Sequence, residues 1–136
     1  MTRCVVLFVD DEVKIGEMVE RILGHDPRLK GVECVTAATY AAAIAAYEEL
    51  VGRKPPVRVV LVTDNDLDPG HTGVGLIEEL VEQRHFTGPV MMVSGRLEDG
   101  VMVVAGRTVG VLAKPFERAV LCDAVAALLD RPPAEE

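Results

Sequence analysis

Apolar runs alternate with helix-spaced patterns five times along the chain, and that alternation constrains the fold more than any other feature. Residues 4–9 form a continuous apolar run, as a strand covered on both faces requires. Residues 32–36, 57–63, 89–94 and 109–113 read as further strands. Between them, Ile15, Met18, Val19 and Ile22 make a helical stripe over residues 13–24, which Gly24 can end. Thr39 is a candidate N-cap for the alanine-rich helix over 39–51. Leu76, Ile77, Leu80 and Val81 mark a third helix. Val120, Leu121, Ala124, Val125, Leu128 and Leu129 give the last helix its buried face. By order, residues 97–106 should be the fourth helix. Gly100, Val101, Val103 and Val104 make it a poor helix former, so a short or irregular one is predicted there.

This order predicts an α/β fold, a single doubly wound parallel sheet with right-handed crossovers. With 136 residues the chain fits one domain, expected over 1–130, with 131–136 a polar tail or the start of a linker. An apolar content of 49% is enough for one packed core. The net charge of -8 argues against direct binding to nucleic acid or anionic membranes. No apolar run reaches the length of a membrane span, and the N-terminal apolar run, too short for a secretion signal, meets Asp10 and Asp11. Cys4, Cys34 and Cys122 match no metal motif and read as reduced, buried thiols of a cytoplasmic protein.

In a parallel sheet the site lies beyond the C-terminal strand ends. Asp10, Asp11, Asp64, Ser94 and Lys114 each follow an apolar strand directly, so five polar groups from four strands converge on one edge. Three acids in one place are costly, because each disfavours ionisation of the others. Lys114 supplies one compensating charge; carboxylate, carbonyl and water ligands suit Mg²⁺ for the rest. A phosphoryl group completes the set. Asp64 can act as nucleophile, Lys114 and Mg²⁺ can neutralise the phosphoryl oxygens, and the Ser94 hydroxyl can donate to one of them.

The acid pair in VVLFVDDEVKIGEMVERIL, LVTD closing the third strand, MMVSG closing the fourth, and KPF at 114–116 resemble the response-regulator receiver family of two-component signalling, over residues 4 to about 130. The resemblance implies a flavodoxin-like five-stranded sheet of order 2-1-3-4-5 and a phosphoprotein that needs Mg²⁺. It implies Asp64 as phosphoacceptor, with Asp11, Asp64 and the backbone carbonyl of Asp66 as metal ligands and Asp10 a ligand through water. Ser94 would be the switch hydroxyl and Lys114 the phosphate contact, with a cis bond before Pro115. The implied partners are a histidine kinase or phosphotransfer protein and a downstream target or output domain; a homodimer is compatible with the sequence. The chain would be a phosphoacceptor switch with slow autodephosphorylation rather than a classical enzyme.

Three departures stand out. The loop reads DNDLDPGHTG, and counting back from Pro69 would put Asn65 at the acceptor position, whereas counting from the strand puts Asp64 there. Val111 stands where the family usually has an aromatic, and the segment between Ser94 and Lys114 is short. These features support an alternative, a pseudo-receiver acting as a phosphorylation-independent interaction or dimerisation domain. Asp66 and Asp68 are loop acids that could tune acyl-phosphate lifetime, and Gly95 leaves the site open to a kinase histidine. His71 and Arg96 read as surface residues that could meet a partner or phosphate. Pro69 and Gly75 at its sixth and twelfth positions argue against an EF-hand, and Gly70, Gly73 and Gly75 make no dinucleotide fingerprint. A haloacid-dehalogenase-like phosphatase would want Asp-x-Asp after the first strand, where the chain has Asp10-Asp11.

Overall fold

The computed structural model describes residues 3–131, so most of the expected tail lies outside the described residues. Strands β1 (Arg3–Val9), β2 (Glu33–Ala37), β3 (Val57–Asp64), β4 (Val90–Ser94), β5 (Gly100–Val104) and β6 (Arg107–Ala113) form one sheet of order β2-β1-β3-β4-β6-β5. Every pair is parallel except β5 with β6. Helices α1 (Val13–Gly24), α2 (Tyr40–Val51), α3 (Gly73–Glu78) and α4 (Arg118–Leu129) cover the sheet. Thr39 caps α2, its Oγ accepting from the Ala42 N–H at 3.0 Å. The third helix continues past α3 as a wide π-turn over Glu79–Gln83.

Side chains alternate across the sheet and feed two cores. Val5, Leu7 and Val9 of β1, Val59 and Leu61 of β3 and Met92 of β4 pack with α2 and α3. Val6, Phe8, Val60, Val62, Met91 and Val93 pack on the other face with α1 and α4. Val5 through Val9 are each 0% exposed, which explains the unbroken apolar run of β1. Burying such side chains is worth about 1.5–3 kcal/mol apiece, and it fixes where the strand ends and its polar successors begin.

The parallel part of the sheet keeps the expected order, but the fourth helix is corrected. Residues 100–104 are an antiparallel strand, paired with β6 from Gly100↔Val111 to Val104↔Arg107. Two residues, Ala105 (φ 51°) and Gly106 (φ 75°), close the hairpin. Both φ values are positive, as the tightest hairpin turns require. Met102 and Val104 face the α2–α3 core, while Val101 and Val103 stand exposed on the opposite face. At the turn, the Arg107 guanidinium donates to the carbonyls of Phe86 (2.9 Å), Thr87 (3.3 Å) and Gly88.

The expectation for the thiols is corrected in part. All three cysteines are free, but only Cys122 is buried, and Cys4 and Cys34 are half-buried. Burial pushes the Cys34 thiol up to about 12.

Candidate functional site

Three strand ends deliver the central groups. β1 runs into Asp10, β3 ends on Asp64, and β6 is followed by Lys114. The Lys114 ammonium donates to Asp10 Oδ2 at 2.6 Å and to Asp64 Oδ2 at 3.1 Å. Asp10 is 2% exposed and Asp64 5% exposed, so both carboxylates are nearly shut off from water, while the Lys114 side chain between them is half-buried. Asp10 is held by its neighbours: its N–H donates to Ala37 O at 3.0 Å, and its Oδ1 accepts from the Glu12 N–H at 2.9 Å. Asp64 Oδ1 accepts from the Asp66 N–H at 3.3 Å. The Lys114 N–H donates to Ser94 O at 2.8 Å, which ties the end of β6 to the end of β4. The Lys114–Pro115 bond is cis.

Asn65 is turned elsewhere. Its side-chain oxygen accepts from the Val74 N–H at 3.4 Å and its carbonyl accepts from the Gly73 N–H at 2.8 Å, both at the start of α3. The loop crosses Gly73 so closely that a Cβ there would sit 2.3 Å from the Asp64 carbonyl oxygen. Asp64 alone of this pair therefore faces Lys114.

Burial raises the Asp64 carboxyl above its ordinary range; the Lys114 hydrogen bond opposes the shift and Asp10 adds to it. Asp11, exposed at the rim, is raised by what burial it has and by Asp10 and Glu12 beside it. Burial alone would lower Lys114, but its bonds to Asp10 and Asp64 outweigh that and raise it.

No family model and no curated protein matches the chain. Solved structures do. The chemotaxis response regulator CheY4 of Vibrio cholerae superposes with a TM-score of 0.69 at 24% identity, over 93% of this chain and 99% of that one. The N-terminal domain of a response regulator/sensory box/GGDEF protein from Carboxydothermus hydrogenoformans gives 0.69 at 24%, over 92% and 93%. The receiver domain of the hybrid histidine kinase CckA gives 0.67 at 30% identity, over 93% of this chain and 99% of its own. The chain belongs to the response-regulator receiver family.

In this receiver the remaining sequence candidates fall into two groups. Ser94 is fully buried at the end of β4, and its Oγ accepts from the N–H groups of Arg96 (3.1 Å) and Leu97 (3.2 Å). With both acceptor sites used, its hydroxyl proton is free to donate. Nothing lies within 4 Å of where a Gly95 Cβ would stand, so the mouth is open there. Asp66 reaches across that mouth to Arg96 Nε at 3.3 Å. Asp68 points away from the receiver's acidic pocket. Its carboxylate accepts from the Tyr40 N–H at 2.7 Å, at the start of α2, and contacts His71 Nδ1 at 2.9 Å. The His71 ring stacks on Tyr40 with centroids 4.2 Å apart.

Two features of the receiver escaped the sequence reading. Glu12 joins Asp10 and Asp11 in a cluster whose carboxylate oxygens lie within 4.8 Å of one another; three consecutive acids after β1 were the available signal. The Tyr40–Asp68–His71 contact had none, since it joins residues 28 apart. Mg²⁺ fits the donor set. Asp10, Asp11 and Glu12 bring three hard carboxylate ligands within reach of one ion, and Asp64 joins them through the Lys114 ammonium that it shares with Asp10.

Proposed function

We propose that this receiver accepts a phosphoryl group on Asp64 and thereby changes its affinity for a partner. The observation that carries the reading is the Lys114 ammonium bridging the buried carboxylates of Asp10 and Asp64. A buried carboxylate held beside one cation at an open mouth is positioned as a nucleophile for phosphorus. In the reaction, an Asp64 carboxylate oxygen forms the new bond to phosphorus as the P–N bond of a phosphohistidine breaks. The departing imidazole takes a proton from solvent. Lys114 balances charge on the phosphoryl oxygens, and the free proton of the Ser94 hydroxyl gives one of them a hydrogen bond.

Mg²⁺, when bound, supplies the remaining positive charge. Asp11, Asp64 and the Asp66 backbone carbonyl would hold it, with Asp10 close behind. The donor would be a histidine kinase or phosphotransfer protein, and the setting cytoplasmic, in keeping with three free thiols. Slow loss of the phosphoryl group to water would reset the switch.

One experiment tests the reading. Intact-mass measurement after incubation with acetyl phosphate and Mg²⁺ gives one added phosphoryl group in wild type and none in Asp64→Asn. No adduct in wild type, or an adduct that survives in Asp64→Asn, overturns it. The second reading, a phosphorylation-independent docking domain, draws on Val111, half-buried where the family usually places an aromatic. The first of those two outcomes would favour it.

A further inference from the structure

The strand β5 forms the edge of the sheet, and among the described residues its backbone bonds run to β6 alone. Its outward N–H and C=O groups are therefore left to solvent. Natural edges are usually blunted by charges, proline or bulges. The sequence Gly100-Val101-Met102-Val103-Val104 has none of these. Val101 and Val103 are 69% and 71% exposed, on a face that α4 does not reach. Behind them Gly110, opposite Val101 on β6, has nothing within 4 Å of where its Cβ would be. An open strand edge and a bare apolar row thus coincide.

We infer that the β5 edge pairs antiparallel with β5 of a second copy of this chain, about a two-fold axis at Met102. That register sets Val101 of each copy beside Val103 of the other, joining four exposed valines into one row. It continues the sheet across both molecules and satisfies the outward backbone groups of both strands. Matched about this axis in backbone pattern and in its row of exposed valines, the strand edge points to a second copy as the occupant.

The pairing goes beyond the phosphoryl reading and does not depend on it, so the test uses the full chain with neither Mg²⁺ nor phosphoryl donor. Sedimentation equilibrium of wild type should approach twice 14.6 kDa as concentration rises. Val101→Lys/Val103→Lys, with like charges facing across the axis, should weaken association about tenfold or more. Mixing it with Val101→Glu/Val103→Glu should restore a dimer, which also shows that both variants are folded. A wild type that stays monomeric throughout overturns the inference. So does a lysine variant that dimerises as well as wild type, or a mixture that fails to associate.

Discussion

The Lys114 ammonium stands between two buried carboxylates, 2.6 Å from Asp10 and 3.1 Å from Asp64. Without it the carboxylates would share one pocket with no cation. Lys114→Met should therefore lower unfolding stability by about 3 kcal/mol, the cost of orphaning buried charge. Asp64→Asn, which removes one of the two negative charges, should recover part of that loss in the double variant. Urea unfolding in chelator-treated buffer measures both, and equal stability of Lys114→Met and wild type would contradict the electrostatic account.

The same substitution at two glycines should give opposite results. Gly73→Ala would drive a methyl to 2.3 Å from the Asp64 carbonyl, so a loss of about 1–3 kcal/mol is expected. Gly95→Ala enters open space and should change stability by no more than about 0.5 kcal/mol. Its effect should appear instead in the rate of phosphoryl uptake from a protein donor, where the extra methyl narrows the approach. Denaturation curves and donor-dependent labelling separate the two.

Asp68 belongs to the fold more than to the pocket, because its carboxylate receives the Tyr40 N–H at the first turn of α2. Asp68→Ala should lower the melting temperature by about a few degrees, since it leaves the Tyr40 N–H without this acceptor. Asp68→Asn, which keeps an acceptor oxygen, should cost less. Thermal unfolding of the two variants provides the comparison.

Acid should loosen the turn that follows α1, where the Asp26 carboxylate accepts from the Arg28 N–H at 2.8 Å and from its guanidinium at 2.9 Å. The side-chain hydrogen bond from Arg28 pulls the Asp26 carboxyl down from 3.8 to about 2. Since the folded value is the lower one, the stabilisation is complete above pH 3.8 and fades as pH falls towards about 2. Wild type should exceed Asp26→Asn in melting temperature at neutral pH, with the gap closing across that acid window. A gap that stays constant would mean that Asp26 acts through packing instead.

Much of the fold was legible because β1, β3 and β4 are covered on both faces, which leaves near-continuous apolar runs that end sharply in polar residues. The position of Asp64 was legible for the same reason: Val59–Thr63 carries the chain straight to it. The hairpin was not. Val101, Val103 and Val104 already argued against a helix, but the turn that joins β5 to β6 uses Ala105 at φ 51° instead of the asparagine or aspartate that normally signals such a turn. Regular alternation then outweighed local propensity. The anchoring roles of Asp68 and Arg107 depend on neighbours distant in sequence, and their own surroundings in the chain give no hint of them.

Arg107 grips three consecutive carbonyls just ahead of β4. The turn of the hairpin is thereby clamped, while its opposite end is joined to the pocket through Ser94 and through the Asp99 carboxylate, which accepts from the Ala113 N–H at 2.7 Å. Held at its tip by Arg107, at its root by Asp99 and along β6 by β4, the hairpin keeps the Val101–Val103 row in a fixed place relative to the pocket.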